Sequence, residues 1–217
     1  MTSSFPLKSG VLVGDDELKK KRTREYRTRV KERNESLQFE IASITAHEKK
    51  IVWEVGCGHG HFLVAYAKDH PRETCIGVDV VRDRVERARR KKGRAGLQHL
   101  YFLIADAGEF LTALPGGLKL SSIFVLFPDP WPKRRHHKNR LISPLFMDAL
   151  SQRAGEGTRF YFRTDFEPYF LAVSALVRAH PKWELAEEPW PFESQTVFQA
   201  RASHYFSLVA RPAGGVT

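Results

Sequence analysis

Ile51-Val-Trp-Glu-Val-Gly-Cys-Gly-His-Gly60 is the stretch of sequence that decides the fold. Its apolar first half, interrupted only by Glu54, predicts a buried strand. The three glycines that follow predict a tight turn where the backbone approaches a ligand. A helix from about His61 to Asp69 is predicted next. Strand, glycine turn and helix form the opening unit of a doubly wound α/β sheet, in which ligands bind beyond the carboxyl ends of the strands.

Acidic residues end the next two apolar runs. Asp79 closes Thr74-Cys-Ile-Gly-Val-Asp79, about 20 residues after the first glycine, where a carboxylate can accept from ribose hydroxyls. This spacing fits a nicotinamide enzyme as well as a methyltransferase, and it also fits an ordinary turn with solvated acids. Asp106 ends the run from Tyr101 to Ala105. Glu54 and Asp106 stand where class I methyltransferases, which this stretch resembles, carry acids, so the pattern favours S-adenosylmethionine.

The composition indicates one folded domain. With 217 residues and 42% apolar content, the chain can bury one full core. We expect an N-terminal arm and basic helix at 1–48, followed by an α/β domain at 49–217. No run approaches membrane-spanning length and no signal-like start is present, so a cytoplasmic protein is expected. Cys57 and Cys75 are predicted to be core residues, and no residue set has metal-ligand spacing.

Positive charge is concentrated in three blocks of the sequence. The net charge is +10, and the basic residues cluster in Lys19 to Arg33, Arg82 to Arg94 and Lys133 to Arg140. One such block is often only a solvated face. Three blocks in a small domain favour a nucleic acid, because lysine and arginine near phosphates release condensed counterions.

Two helices carry the first two basic blocks. We predict a long helix from Asp16 to about Ala46, with a candidate break at Asn34. Its apolar positions recur at helical spacing and should dock on the sheet: Tyr26, Val30, Leu37, Ile41 and Ile44. The second basic helix is predicted from about Val81 to Lys92, with Gly93 ending it.

A proline-rich segment follows the most apolar predicted strand, Ile123 to Phe127. In Phe127-Pro-Asp-Pro-Trp-Pro-Lys133, three prolines restrict the backbone and exclude helix, so Asp129 and Trp131 should be presented rigidly at the strand end. In a doubly wound sheet this strand lies beside the first one, which brings Asp129 near the glycine turn. Trp131 could stack on a planar base or fill the core, and the core is the favoured interpretation.

The end of the chain adds residues to the same edge of the sheet. Five cations follow the proline segment, and a phosphate backbone is their natural partner; they are Lys133, Arg134, Arg135, Lys138 and Arg140. A strand from Arg159 carries Asp165 to the same sheet end. Trp183 to Glu187 and Tyr205 to Ala210 are predicted to pair antiparallel.

Phe127-Pro-Asp-Pro-Trp-Pro-Lys-Arg-Arg-His-His-Lys-Asn-Arg-Leu141 closely resembles the signature of the tRNA (guanine-N7)-methyltransferases. Further matching motifs extend the resemblance from about Val52 to Arg201. The resemblance implies a Rossmann-like class I methyltransferase fold. It also implies methyl transfer from S-adenosylmethionine to N7 of a guanosine in the variable loop of tRNA.

The resemblance also implies roles for individual residues. Those implied to bind the cofactor or its reaction centre are Glu54, Gly56, Gly58, Asp79, Asp106, Ala107 and Asp129. Those implied to hold the guanosine are Lys133, Asp165, Thr196, Gln199 and Arg201. Asp129 is our candidate catalytic residue, because a carboxylate can stabilise the positive charge that develops on an alkylated guanine.

One departure from the family pattern keeps a second hypothesis open. Gln199 stands where family members usually carry glutamate; its carbonyl can still accept hydrogen bonds, but the charge is lost. The alternative is therefore a catalytically weak or inactive RNA-binding protein of the same fold. A small-molecule or protein methyltransferase is a third interpretation, against which the basic blocks argue. No obligate partner protein is evident, and a monomer or homodimer is expected.

Overall fold

The computed structural model describes residues 12–194 and 204–214. The helices in these ranges are α1 (Leu12–Ile44), α2 (His61–Asp69), α3 (Arg82–Ala95), α4 (Ala107–Ala113), α5 (Pro144–Arg153) and α6 (Glu167–Ala179). The strands are β1 (Lys50–Val55), β2 (Cys75–Asp79), β3 (Leu100–Ile104), β4 (Lys119–Leu126), β5 (Arg159–Thr164), β6 (Trp183–Ala186) and β7 (Phe206–Pro212). A short 3-10 helix covers Arg134–Asn139.

The strands form one sheet in the order β3-β2-β1-β4-β5-β7-β6. Strands β1 to β5 pair in parallel, whereas β7 is antiparallel to both of its neighbours, β5 and β6. The predicted doubly wound sheet with an antiparallel C-terminal strand is thus confirmed. Because β1 pairs with β4, the glycine turn and the proline-rich segment leave the sheet side by side. Parallel strands are joined through crossover helices, which cover both faces of the sheet.

A hydrophobic layer covers each face of the sheet. On one face α1, α4, α5 and α6 contribute to the larger core, whose biggest buried side chains include Trp53, Phe110, Phe160 and Trp183. On the other face α2 and α3 pack over β1 to β3. Over β4, β5 and β7 that second face is covered by residues 187–194, which we call the strap. Its Trp190 and Phe192 pack against the core.

The long helix docks through its C-terminal half. Leu37 and Ile41 are buried in the larger core and Ile44 is half-buried, as the helical stripe predicts. Val30 is half-buried but belongs to neither hydrophobic cluster, and the side chain of Tyr26 lies outside the described part of the chain. The helix runs unbroken through Asn34, so the candidate break there is wrong. None of the helices in the described ranges is both long and apolar enough to cross a membrane.

Three local predictions are corrected by the structure. Helix α3 continues through Gly93 to Ala95, and Gly96 follows it in the left-handed conformation (φ 67°) typical of a helix C-cap. The sequence predicts a short turn of helix from Phe110 to Leu114, whereas helix α4 begins three residues earlier, at Ala107, because Asp106 caps it. Trp131 is half-buried and lies outside both hydrophobic clusters, so the favoured core role is wrong.

Candidate active site

The glycine turn between β1 and α2 uses three left-handed residues. Gly56, Gly58 and Gly60 have φ values of 68°, 52° and 69°. A Cβ atom at Gly56 or Gly58 would meet no heavy atom within 4 Å, so open space borders the turn at both positions. The Gly58 amide donates to a carboxylate oxygen of Asp79 at 3.0 Å, which ties the turn to the end of β2. This open cradle, closed on one side by a carboxylate, can receive a ligand.

Gly60 has a different role from the other two glycines, because it packs against the neighbouring elements. A Cβ atom at Gly60 would lie 2.7 Å from both the Ala88 Cβ and the Phe102 ring. We expect Gly60→Ala to lower the free energy of unfolding by about 2–4 kcal/mol, since overpacking adds to backbone strain. Gly58→Ala is the matched control. It imposes backbone strain without a steric clash, so it should lower the free energy of unfolding by only about 1 kcal/mol. Chemical denaturation of the two variants would measure this difference, and equal losses would contradict it.

Glu54 is a buried carboxylate with an incomplete set of partners. Its side chain is 4% exposed, and its Oε2 atom has no hydrogen-bond partner among the described residues. Burial raises the pKa of Glu54 to about 8, an effect that a hydrogen bond from the Leu63 backbone only partly opposes and that nearby Asp79 reinforces. A buried acid of this kind is suited to a cationic ligand group, which would supply both the missing donor and a compensating charge.

Asp79 is held by backbone amides on both of its oxygens. Oδ1 accepts from the Val81 amide at 2.8 Å, and Oδ2 accepts from Gly58. Arg84 lies 3.8 Å from Oδ2. Each carboxylate oxygen retains a second lone pair, so the side chain can still accept from a hydroxyl.

Asp106 is the N-cap of α4, which sequence reasoning missed. Its side chain accepts from the Glu109 amide at 2.8 Å, and the Glu109 carboxylate accepts in return from the Asp106 amide at 3.0 Å. This reciprocal pair is a capping box, and the spacing of Asp106 and Glu109 was its available signal. Glu109 also pairs with Arg33 of α1. Asp106 and Ala107 therefore stand at a helix N-terminus facing the sheet end, where their roles in cofactor binding stay predictions.

The proline-rich segment is held in a strained conformation at the end of β4. Phe127 and Trp131 are the two non-glycine residues of the described ranges with positive φ, at 49° and 44°. Such residues cost about 1–3 kcal/mol each and persist where the surroundings hold them. Here the Phe127 amide donates to the Arg163 carbonyl at 2.7 Å, and Arg140 Nε donates to the Pro130 carbonyl at 2.9 Å. Asp129, between the two strained residues, is exposed.

The basic residues after this segment fall into two groups. Lys133, Arg134, Arg135 and Lys138 are exposed on or beside the 3-10 helix. Arg140 is instead half-buried, with its guanidinium 4.7 Å from the Tyr169 ring centre, so it braces the proline-rich segment from within the protein. Arg140 therefore has a structural role, and its predicted contact with the RNA backbone stays a prediction.

The remaining predicted substrate residues are only partly described. Asp165 is exposed at the carboxyl end of β5, next to β4, so the fold brings it to the same edge as Asp129. Thr196, Gln199 and Arg201 lie outside the described residues. No group of three or more metal-ligating side chains occurs within 12–194 and 204–214. Both cysteines are buried and free, in agreement with their predicted core positions.

Comparison with known proteins identifies the family. A family model described as "Putative methyltransferase" matches residues 48–207. The tRNA (guanine-N(7)-)-methyltransferase of Roseobacter denitrificans is 33% identical over 176 residues, which are 75% of each chain. This chain belongs to the tRNA (guanine-N7)-methyltransferase family. Enzymes of the same name from Methylococcus capsulatus (32% identity, 75% of this chain and 73% of the relative) and Nitrosococcus oceani (31% identity, 64% of this chain and 59% of the relative) are also similar.

Solved structures agree with the family in fold. The 16S rRNA (adenine(1408)-N(1))-methyltransferase of Catenulisporales acidiphilia superposes with a TM-score of 0.53 at 17% identity, covering 83% of this chain and 93% of that one. A precorrin-6y C5,15-methyltransferase from Geobacter metallireducens gives 0.53 at 12% identity, covering 82% and 84%. At these identities the likeness concerns the fold alone.

Helix α3 also contributes to the site of this family member. Lys91 Nζ donates to the His59 carbonyl at 2.8 Å and lies 2.7 Å from His61 Nε2, so it supports the glycine turn. Burial lowers the pKa of His59, as do the charges of Lys91, Arg87 and Arg84. The second basic block therefore faces the glycine turn. Sequence reasoning missed this brace, because the contact joins residues 30 or more positions apart.

Proposed function

We propose that this chain transfers the methyl group of S-adenosylmethionine to N7 of a guanosine in the variable loop of tRNA. The observation that carries the proposal is the pairing of β1 with β4. It sets an open glycine turn beside a rigid segment that exposes one carboxylate, Asp129. The family relatives are named for this reaction, and the alternative of an inactive RNA-binding protein is not favoured.

The residues at the sheet end fit S-adenosylmethionine. The orphaned Glu54 oxygen and its raised pKa suit the ammonium group of the methionine portion. Two backbone amides hold the Asp79 carboxylate where it would accept hydrogen bonds from the ribose hydroxyls. Asp106 and Ala107 follow the end of β3, where they would contact the adenine. When bound, the cofactor supplies an electrophilic methyl group on a sulfonium. Gly56 and Gly58 leave room for it, because a side chain at either position would occupy the open space.

The reaction needs alignment more than proton transfer. Guanine N7 has an in-plane lone pair and no proton, so the new N–C bond forms as the methyl–sulfur bond breaks, and no base is required. Accepting the methyl group from the sulfonium of the cofactor would leave the guanine with a positive charge. Asp129 orients the base and stabilises the positive charge that develops on it. Its rigid backbone keeps the carboxylate in place without reorganisation during the reaction.

Positive charge around the site suits the tRNA backbone. The exposed cations of the 3-10 helix begin directly after the proline-rich segment, and the basic face of α3 borders the glycine turn. Phosphate contacts of this kind orient a nucleic acid, whereas base contacts select the nucleotide. We therefore assign the RNA-backbone role to Arg134, Arg135, Lys138 and Arg140, and the guanosine-binding role to Lys133, Asp165, Thr196, Gln199 and Arg201.

The salt dependence of tRNA binding tests the assignment. Binding should weaken steeply as salt rises, and Arg134→Ala and Lys138→Ala should each reduce the slope of log affinity against log salt by about 1. Arg178→Ala is the control. This exposed arginine lies in the last turn of α6, far along the helix from the carboxyl end of β5 where the site lies. Filter binding at four salt concentrations measures the slopes. An unchanged slope in both test variants would show that the 3-10 helix is not part of the RNA-binding surface.

Labelled methyl transfer tests the proposed activity itself. Radiolabelled S-adenosylmethionine should label unmodified tRNA in the presence of the protein. If the protein retained tRNA in the binding assay but transferred no label, the inactive RNA-binding protein would be the correct interpretation.

A further inference from the structure

Helix α1 divides into a docked half and a projecting half. In the docked half Leu37 and Ile41 are buried, and residues 34–44 include no lysine or arginine. In the projecting half every side chain described between positions 18 and 29 is exposed. Nine of the fifteen residues at positions 19–33 are lysine or arginine, and two are acidic. The positive charge therefore ends where docking begins, and we call residues 18–33 the arm.

Contacts near the two ends of the docked half show how α1 crosses the sheet. Ile44 leads through a short turn to Lys50, which starts β1 at the amino-terminal edge of the parallel strands. Arg33 pairs with Glu109, in the first turn of α4 and just beyond the carboxyl end of β3. Because α1 is unbroken, the arm continues past this carboxyl edge. The glycine turn and Asp129 lie at the same edge, so the arm extends from the side of the protein that carries the candidate active site.

Four cations of the arm form a row along one face of the helix. Lys20, Arg24, Arg27 and Lys31 are spaced four, three and four residues apart, so the row is about 16 Å long. Lys31 lies 3.7 Å from Glu35, but both side chains are largely exposed and such a pair is weak. Like charges four residues apart repel each other and oppose the helix. Phosphates beside the row would replace this repulsion with attraction.

A second copy of the chain is the other occupant that an exposed helix could accept. Paired helices need apolar residues that repeat at heptad spacing. Between positions 18 and 30 only Leu18, Tyr26 and Val30 are apolar, and Val30 is half-buried. Two arms side by side would also bring like charges together. The chemistry of the arm therefore fits a polyanion and not a second arm.

We infer that the arm is a second RNA-binding surface, which holds the sugar-phosphate backbone of tRNA outside the loop that carries the target guanosine. The inference rests on the proposed function for the identity of the RNA. It extends the RNA surface from the 3-10 helix to a helix that precedes the matched family model, which begins at residue 48. Because phosphate contacts carry no sequence information, the arm supplies affinity and orientation, and it does not select the base.

A triple variant that removes one face of the arm tests this inference. Arg24→Gln, Arg27→Gln and Lys31→Gln together remove three charges, and glutamine has nearly the same helix propensity, so the helix should persist. The slope of log affinity for tRNA against log salt should fall by about 2–3, and the Kd at about 0.1 M salt should rise at least about 10-fold. Filter binding measures both quantities, and circular dichroism checks the helix content. An unchanged slope and Kd would show that the arm does not bind tRNA.

The matched control removes the same charge from the opposite edge of the sheet. Lys49, Lys50 and Lys182 are exposed, the first two at the start of β1 and the third directly before β6. Replacing all three with glutamine should leave the slope and the Kd nearly unchanged. Equal losses in the two triple variants would mean that net charge and not the arm determines affinity. Arg24→Lys with Arg27→Lys keeps the charge and should bind tRNA like the wild type.

Two further measurements locate the contact and separate it from the activity. A short single-stranded RNA carrying the same guanosine should bind equally well to the wild type and the arm variant, because it cannot reach the arm. An equal loss for short RNA and tRNA would place the arm at the target base and contradict the inference, as would a change of oligomeric state in sedimentation without a loss of tRNA affinity. Absence of methyl transfer by the wild type would instead defeat the proposed activity, since these binding comparisons require no turnover.

Discussion

Replacing Asp129 with alanine is expected to lower the turnover number for methyl transfer to tRNA by about 100- to 1,000-fold, the range seen when one preorganised electrostatic group is removed. The side chain is exposed. The conformation around it is set by the prolines, by the hydrogen bond from the Phe127 amide to the Arg163 carbonyl and by the hydrogen bond from Arg140 to the Pro130 carbonyl. Loss of the carboxylate should therefore leave the segment in place. Single-turnover transfer from labelled S-adenosylmethionine measures the effect on the chemical step.

Asp129→Asn distinguishes charge from shape. The amide keeps a similar size and one acceptor oxygen but cannot neutralise a cationic guanine. If the charge is what matters, the asparagine variant should lose nearly as much turnover as the alanine variant, with unchanged thermal stability. Near-normal turnover in Asp129→Ala, with fold and cofactor binding intact, would show that the carboxylate has no catalytic role.

Binding of S-adenosylmethionine at pH 7 is expected to release about 0.9 proton from Glu54, because a group with a pKa of about 8 is mostly protonated there and a bound ammonium favours its charged form. Titration calorimetry in buffers of different ionisation enthalpy measures this proton. In Glu54→Gln the release should disappear, and the Kd for the cofactor should rise at least about 10-fold through loss of a charged hydrogen bond.

The same residue gives a stability prediction in the absence of cofactor. The pKa of Glu54 is raised in the folded state, so between about pH 4.5 and 8 the folded protein holds a proton that the unfolded chain has released. The free energy of unfolding should therefore fall as pH rises through this window, by up to the order of 4 kcal/mol. Glu54→Gln should flatten this decline. An identical pH profile for wild type and variant would mean that Glu54 does not titrate in this range.

The parts of the fold with strong local signals could be predicted from the sequence. An apolar run followed by glycines located β1, its turn and α2, since both the strand and the turn are dictated by nearby residues. The predicted end of α3 at Gly93 is wrong, because both Gly93 and Gly96 are chemically able to end a helix and the local sequence does not choose between them. The apolar run before Asp106 predicts the end of a strand there, but it does not predict that Asp106 also caps a helix.

The contacts that hold the site together could not be predicted in the same way. Arg163 meets Glu193 and Ser207, which are 30 and 44 positions away along the chain. Arg140 belongs to a basic run that reads as uniformly exposed, yet it turns inward to Pro130 and Tyr169. Such pairings depend on strand order and loop path, which the local sequence does not encode. The residues expected to touch ligand were found by motif, whereas those that support them emerge from the fold.

The most direct test of the proposed reaction is methyl transfer from labelled S-adenosylmethionine to two tRNAs that differ in one atom. One carries guanosine in the variable loop, and the other carries 7-deazaguanosine, which has carbon in place of N7. Label should enter the first tRNA and not the second. Equal labelling of both would place the acceptor elsewhere and contradict the proposal.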